Sequence, residues 1–140
     1  YEGYMAPAEV FLALLEIEDS ESSINRQTAA DFARRSLKIA LKLGRKYWIF
    51  EPRAILYQGR YDWLSGKRKK AHKAWSKSTE LAQELGMPHE EGLAWYEFGR
   101  HLPTDDPDRT IHLQRAAELF SEVEAAYYLD LAQKELRGKL

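Results

Sequence analysis

Catalysis in this chain would fall to four histidines, His72, His89, His101 and His112, and to a pool of 22 aspartates and glutamates. A zinc-binding helix sets two histidines four residues apart with a glutamate between them, so that both rings share one face. His89-Glu90-Glu91 offers only the first half of that pattern, because Leu93 stands where the second histidine belongs. His101 and His112 flank one loop and are near enough in sequence to approach each other, although surface histidines beside a loop are the plainer expectation. The sequence has no cysteine, which excludes thiolate nucleophiles, disulfides and Cys-based metal sites. It contains no Gly-rich phosphate loop, no paired metal-binding aspartates and no kinase signature. The expectation is a non-catalytic chain with neither metal nor cofactor.

Binding chemistry is better represented. Lys67-Arg68-Lys69-Lys70, with Lys73 and Lys77 one and two turns further on, is the one strong charge cluster. Such a run meets phosphates or an acidic protein surface. Its ordinary reading is a solvated helix face, and at a helix N-terminus the dipole disfavours these cations. The basic run does not recur at the equivalent positions of the chain, and the net charge of −1 argues against a general nucleic-acid binder. Nucleic acid is therefore a disfavoured partner.

The elements that position these residues come from a segment that occurs three times with drift. Residues 29–44 read AADFARRSLKIALKLG, residues 71–86 read AHKAWSKSTELAQELG, and residues 109–124 read RTIHLQRAAELFSEVE. Self-similarity at such a period marks a solenoid of helical hairpins, each covering the apolar face of the next. At 140 residues and 44% hydrophobic content the chain is long enough for one domain with a continuous core. No apolar run approaches the ~20 residues that span a bilayer, so no membrane role is expected. Tyr1-Glu2-Gly3 is not a signal peptide and lacks an initiator Met, which fits a piece of a longer protein in a reducing, cytoplasmic setting.

The helices read as follows. Val10, Phe11, Leu12, Leu14, Leu15 and Ile17 crowd a first helix over Ala6–Ile17, which suits a helix buried between neighbours. Asp19-Ser20-Glu21-Ser22-Ser23 breaks it. A second runs from about Asn25 to Leu43, with Phe32, Ser36, Ile39, Ala40 and Leu43 as its inward stripe and Gly44 as a left-handed stop. Pro52 suits the first turn of a third helix, which ends at Leu64 before Ser65-Gly66, and Lys67 to Leu85 forms a fourth. Gly59, and Gly99 in the matching segment, cost roughly 1 kcal/mol each against Ala in a helix interior. Both make sense if a bulky neighbour approaches the backbone, with Trp75 as the candidate for Gly59. Asp106 or Asp105 caps a further helix that carries Pro107 and Asp108 in its first turn and runs to about Val123. A last helix, Ala126 to Arg137, sets Tyr127, Tyr128, Leu129, Leu131, Ala132 and Leu136 against a polar outer face.

These residues resemble the tetratricopeptide repeat. Trp95, Phe98 and Gly99 match its first-helix signature, and Gly59, Gly66, Ala71 and Trp75 match the turn and second-helix positions of the preceding unit. Repeated glycines stand about 40 residues apart here, against about 34 in the standard repeat, which implies longer helices or looser turns. Leu85-Gly86-Met87-Pro88, Gly99-Arg100-His101-Leu102, Asp105-Asp106-Pro107-Asp108-Arg109 and Ala116-Ala117-Glu118-Leu119-Phe120 are similar to the C-terminal repeats of large bacterial multidomain signalling proteins. Those proteins carry a nucleotide cyclase or kinase domain together with an ATPase. Where that family usually has Gly-Ala at the end of the second helix, this chain has Glu124-Ala125.

The resemblance implies an all-α, right-handed superhelix of about three hairpins, over residues 4–44, 48–86 and 88–124, with a capping helix over 126–138, as a single domain. It implies a protein-interaction or scaffolding module of a larger cytoplasmic signalling protein. In such arrays the first helix of each hairpin lines the concave face, which puts Arg53, Leu56, Tyr57, Arg60, Trp63, Tyr96, Glu97 and Arg100 there. A guanidinium fork beside a flat aromatic ring suits a carboxylate, so an acidic segment or a C-terminal carboxylate is the expected ligand. Two rivals stand beside this reading. One is a small-molecule sensor controlling a linked cyclase, kinase or ATPase domain, which requires an enclosed cavity. The other is self-association through the first helix, by way of Phe11, Leu12, Leu14 and Leu15.

Overall fold

In the computed structural model, which describes residues 23–138, every regular element among the described residues is helical. These elements are α1 (Ser23–Lys46), a short 3-10 helix (Trp48–Phe50), α2 (Glu51–Leu64), α3 (Arg68–Glu84), α4 (Pro88–Arg100), α5 (Pro107–Glu122) and α6 (Ala126–Leu136). The helix expected over Ala6–Ile17, and with it the first half of the hairpin expected over residues 4–44, lies outside the described residues. The chain divides into two compact units, Tyr1–Ala74 and Trp75–Leu140, with the boundary inside α3.

In the first unit α1 packs on α2, most closely at Gly44, and the buried seam of α1 is mostly of small residues. Ala33, Leu37 and Ala40 are buried, as is Gly44, and these positions fall on one face at helical spacing. The expected inward stripe is thus rotated: Phe32 is 44% exposed and Ile39 is 56% exposed. The physical reason is closeness of approach. A Cβ added at Gly44 would stand 3.0 Å from the Glu51 Cα and 3.3 Å from the Ala54 Cβ. Gly44 is therefore not the left-handed stop expected of it but a helical glycine over which the start of α2 lies, and α1 continues to Lys46. Pro52 sits in the first turn of α2, where no N–H is needed, and Ala54 and Tyr57 are buried.

In the second unit α4 packs on α5, and α5 on α6. Glycines again set the spacing. A Cβ at Gly92 would come within 2.8 Å of the Phe120 ring, and one at Gly99 within 2.9 Å of Leu113. Leu113, Ala116, Leu119 and Phe120 form the buried face of α5. Leu113 occupies the register position that Trp75 holds in the preceding copy of the repeat, so for Gly99 the bulky neighbour is leucine rather than tryptophan. Asp106 caps α5, its carboxylate accepting from the Asp108 N–H at 2.9 Å.

Arg109 ties the second unit together. Its Nη1 lies 3.2, 3.0 and 3.0 Å from the carbonyl oxygens of Gly99, Arg100 and Leu102, and its Nη2 is 2.8 Å from a Glu135 carboxylate oxygen on α6. The last carbonyls of any helix lack partners within it, and here one guanidinium on α5 supplies them for α4.

Three helices end in the same way. After α2, the N–H of Gly66 donates to Trp63 and that of Lys67 to Asp62; after α3, Gly86 donates to Gln83 and Met87 to Ala82; after α5, Glu124 donates to Ser121 and Ala125 to Phe120. This is the Schellman pairing, and it requires a left-handed residue just past the helix. Gly66 (φ 82°) and Gly86 (φ 68°) adopt that conformation freely, whereas Glu124 (φ 57°) adopts it with a Cβ.

Candidate functional site

Each histidine is held against an aromatic ring. His72 lies 5.6 Å from the Trp63 ring, His89 meets Tyr128 edge-on at 5.4 Å, and His101 stacks on the buried Trp75 at 4.7 Å. His112 sits between Trp95 at 4.7 Å and Phe98 at 4.6 Å. Burial among these rings pushes the His112 pKa below its ordinary value, and attraction from Asp108 and Asp106 offsets only part of that. Instead of converging, His101 and His112 take separate aromatic partners, and the His101 Nδ1 lies 2.7 Å from the Glu97 carbonyl oxygen. Among the described residues no group of three or more His, Cys, Asp or Glu side chains is arranged to hold a metal ion.

In the second unit two carboxylates are buried: Glu91, which follows the incomplete zinc pattern at His89, and Glu97, which was expected on the concave face. Glu91 accepts from the Trp95 indole at 3.1 Å and lies 3.8 Å from Arg115. Glu97 takes two contacts from Arg100, at 3.0 Å from Nε and 2.9 Å from Nη2, with His101 at 3.7 Å. The signal for both was spacing: Trp95 follows Glu91 by one turn and Arg100 follows Glu97 by one turn, the separations at which helical side chains meet.

The residues expected on a concave face have varied surroundings. In the first unit Tyr57 is 2% exposed and its hydroxyl lies 3.4 Å from an Arg53 nitrogen, so this ring is packing, not surface. Arg53, Arg60 and Trp63 are half-buried. In the second unit Tyr96 and Arg100 are half-buried, and the Arg100 guanidinium lies 5.5 Å from the Tyr96 ring centre while pairing with Glu97. The basic run Lys67, Arg68, Lys69 and Lys70 is exposed throughout, with the Arg68 guanidinium 4.7 Å from the Trp63 ring centre.

A groove in the first unit was not anticipated. It lies along α1 and α2, holds about 470 Å³, and is lined by Leu37, Leu41, Arg34, Arg35, Lys38, Gln58 and Tyr61. Leu37 is buried and Leu41 half-buried, while Arg34, Arg35 and Lys38 are exposed. The Tyr61 hydroxyl and Asp31 both hydrogen-bond the Arg34 guanidinium and raise its already high pKa, the Asp31 contact measuring 3.0 Å. Gln58 donates to Asp62 at 2.9 Å. Among the described residues no acidic side chain lines it.

Comparison with protein-family models, with curated proteins and with solved structures finds no match. Among the described residues no helix is long and apolar enough to cross a membrane.

Proposed function

We propose that this chain is a non-catalytic protein-interaction module, built of tetratricopeptide-like hairpins in a right-handed superhelix and belonging to a larger cytoplasmic signalling protein. The observation that carries this reading is the repeated stop. α2, α3 and α5 close on the same pair of hydrogen bonds around one left-handed residue, and two of these residues, Gly86 and Glu124, end successive copies of the repeated segment, which supports reading the helices as repeat units. Repeat arrays of that kind work by the surface their stacked units present.

The distribution of polar groups supports the same reading. Histidine rings pack against aromatic ones, and Glu91 and Glu97 contact neighbours one turn away, which supports a structural role for these side chains. Cations, by contrast, crowd exposed helix faces at residues 34–46 and 67–70. The partner that fits is an acidic protein segment.

Isothermal titration of the chain with a short acidic helical peptide, EELLEELLEELLEE, tests this. Binding that weakens steeply with salt, and is absent for the peptide with every Glu replaced by Gln, is the expected result. Equal binding of both peptides, or of neither, argues against the proposal.

A further inference from the structure

The position of the cations on α1 goes further than their number. At 100° per residue, Arg34, Lys38, Lys42 and Arg45, with Arg35 and Lys46, fall on one continuous face opposite the buried seam of Ala33, Leu37, Ala40 and Gly44. All six are exposed, and Asp31, paired to Arg34, is the one acidic residue between residues 26 and 46. In a chain of net charge −1 this is a marked local asymmetry. Where this face turns toward α2 it meets the groove, whose floor of Leu37 and Leu41 is apolar and whose rim is Arg34, Arg35 and Lys38.

We propose that the groove between α1 and α2 binds an acidic amphipathic protein segment, its apolar side chains on Leu37 and Leu41 and its carboxylates on Arg34, Arg35 and Lys38. The proposal rests on the reading of the chain as an interaction module and names the surface and the partner.

Three features favour a protein segment over other anions. A leucine floor adds nothing to the binding of a bare phosphate or a phosphodiester backbone but offers burial to leucine or phenylalanine side chains. A volume of about 470 Å³ accommodates a few such side chains, not a flat lipid surface. Arg34 also has partners at the groove, Asp31 at 3.0 Å and the Tyr61 hydroxyl, which narrow the side-chain freedom left to lose when a carboxylate arrives. Arginine pairs with carboxylates through its planar fork, which a lysine cannot reproduce.

The test measures fluorescence anisotropy of labelled EELLEELLEELLEE with the whole chain and with two charge-reversed variants, R34E/K38E and R53E/R60E. Arg34 and Lys38 are exposed and Arg53 and Arg60 half-buried, so circular dichroism checks that each variant keeps its helix content before its affinity is read. The expected result is at least a tenfold loss of affinity for R34E/K38E and less than a threefold change for R53E/R60E. Y61F, which frees Arg34 without changing charge, is expected to weaken binding by a smaller factor. Loss in R53E/R60E alone overturns the groove and leaves the interaction reading standing. Absence of binding by the unaltered chain overturns both. Full competition by vesicles of anionic lipid, or by single-stranded DNA, overturns the protein-segment assignment in favour of that partner.

Discussion

Replacing Arg109 by Met keeps the aliphatic stem and removes the guanidinium that joins α4, α5 and α6. Three carbonyl contacts at 3.0–3.2 Å converge on its Nη1, which has two N–H bonds, so only two of the contacts count in full. Hydrogen bonds involving a charged group contribute about 1.5–3 kcal/mol each, and carbonyls at a helix end regain some water when released, which favours the lower figure. Two such bonds amount to about 3 kcal/mol on that scale. The Glu135 contact is 2.8 Å long, but the Glu135 side chain is 35% exposed, so solvent screening limits the pair to at most about 1 kcal/mol. Arg109→Met is therefore expected to cost about 3–4 kcal/mol, and Glu135→Gln less than about 1 kcal/mol. Urea unfolding followed by circular dichroism at pH 7 reads both. A loss below about 1 kcal/mol for Arg109→Met would refute the claim that this side chain closes α4.

Other substitutions test separate parts of the packing. Glu124→Gly relieves a left-handed conformation held with a Cβ and is expected to stabilise the chain by about 1 kcal/mol, seen as a higher melting temperature. Gly92→Ala sets a methyl group 2.8 Å from the edge of the Phe120 ring, which is fixed in the core, and should cost about 1–3 kcal/mol in the same assay. His112 has a folded pKa below its unfolded value near 6.5, so the unfolded chain binds more protons in mildly acidic solution. Its contribution is complete above pH 6.5 and declines as pH falls beneath that value; denaturation midpoints at pH 7.5 and 5 should show a drop that is smaller in His112→Phe.

How much of this was legible in the sequence depended on how local the cause was. Gly66 and Gly86 follow helix-forming runs and stop them, as a left-handed glycine does, and Asp106-Pro107 announces the start of α5 in adjacent residues. Gly44 carried the same signal as Gly86 and meant something else. Its role comes from Glu51 and Ala54 arriving across space, and nothing in residues 29–44 records that. The α1 stripe went astray for a related reason. Phe32 and Ile39 are the larger apolar groups, but a close α1–α2 contact selects small ones, so Ala33, Ala40 and Gly44 take the seam. The cations of the groove were all visible as letters. Their common face follows from helical spacing, but its place at a groove became evident only with the orientation of α1, and Tyr61 and Gln58 join them from another helix.

Backbone amide spectra of the isotope-labelled chain, titrated with EELLEELLEELLEE, test the central claim most directly. The account expects salt-sensitive shifts concentrated at Arg34, Leu37, Lys38, Leu41, Gln58 and Tyr61. An unchanged spectrum, or shifts confined to α5 and α6, would contradict it.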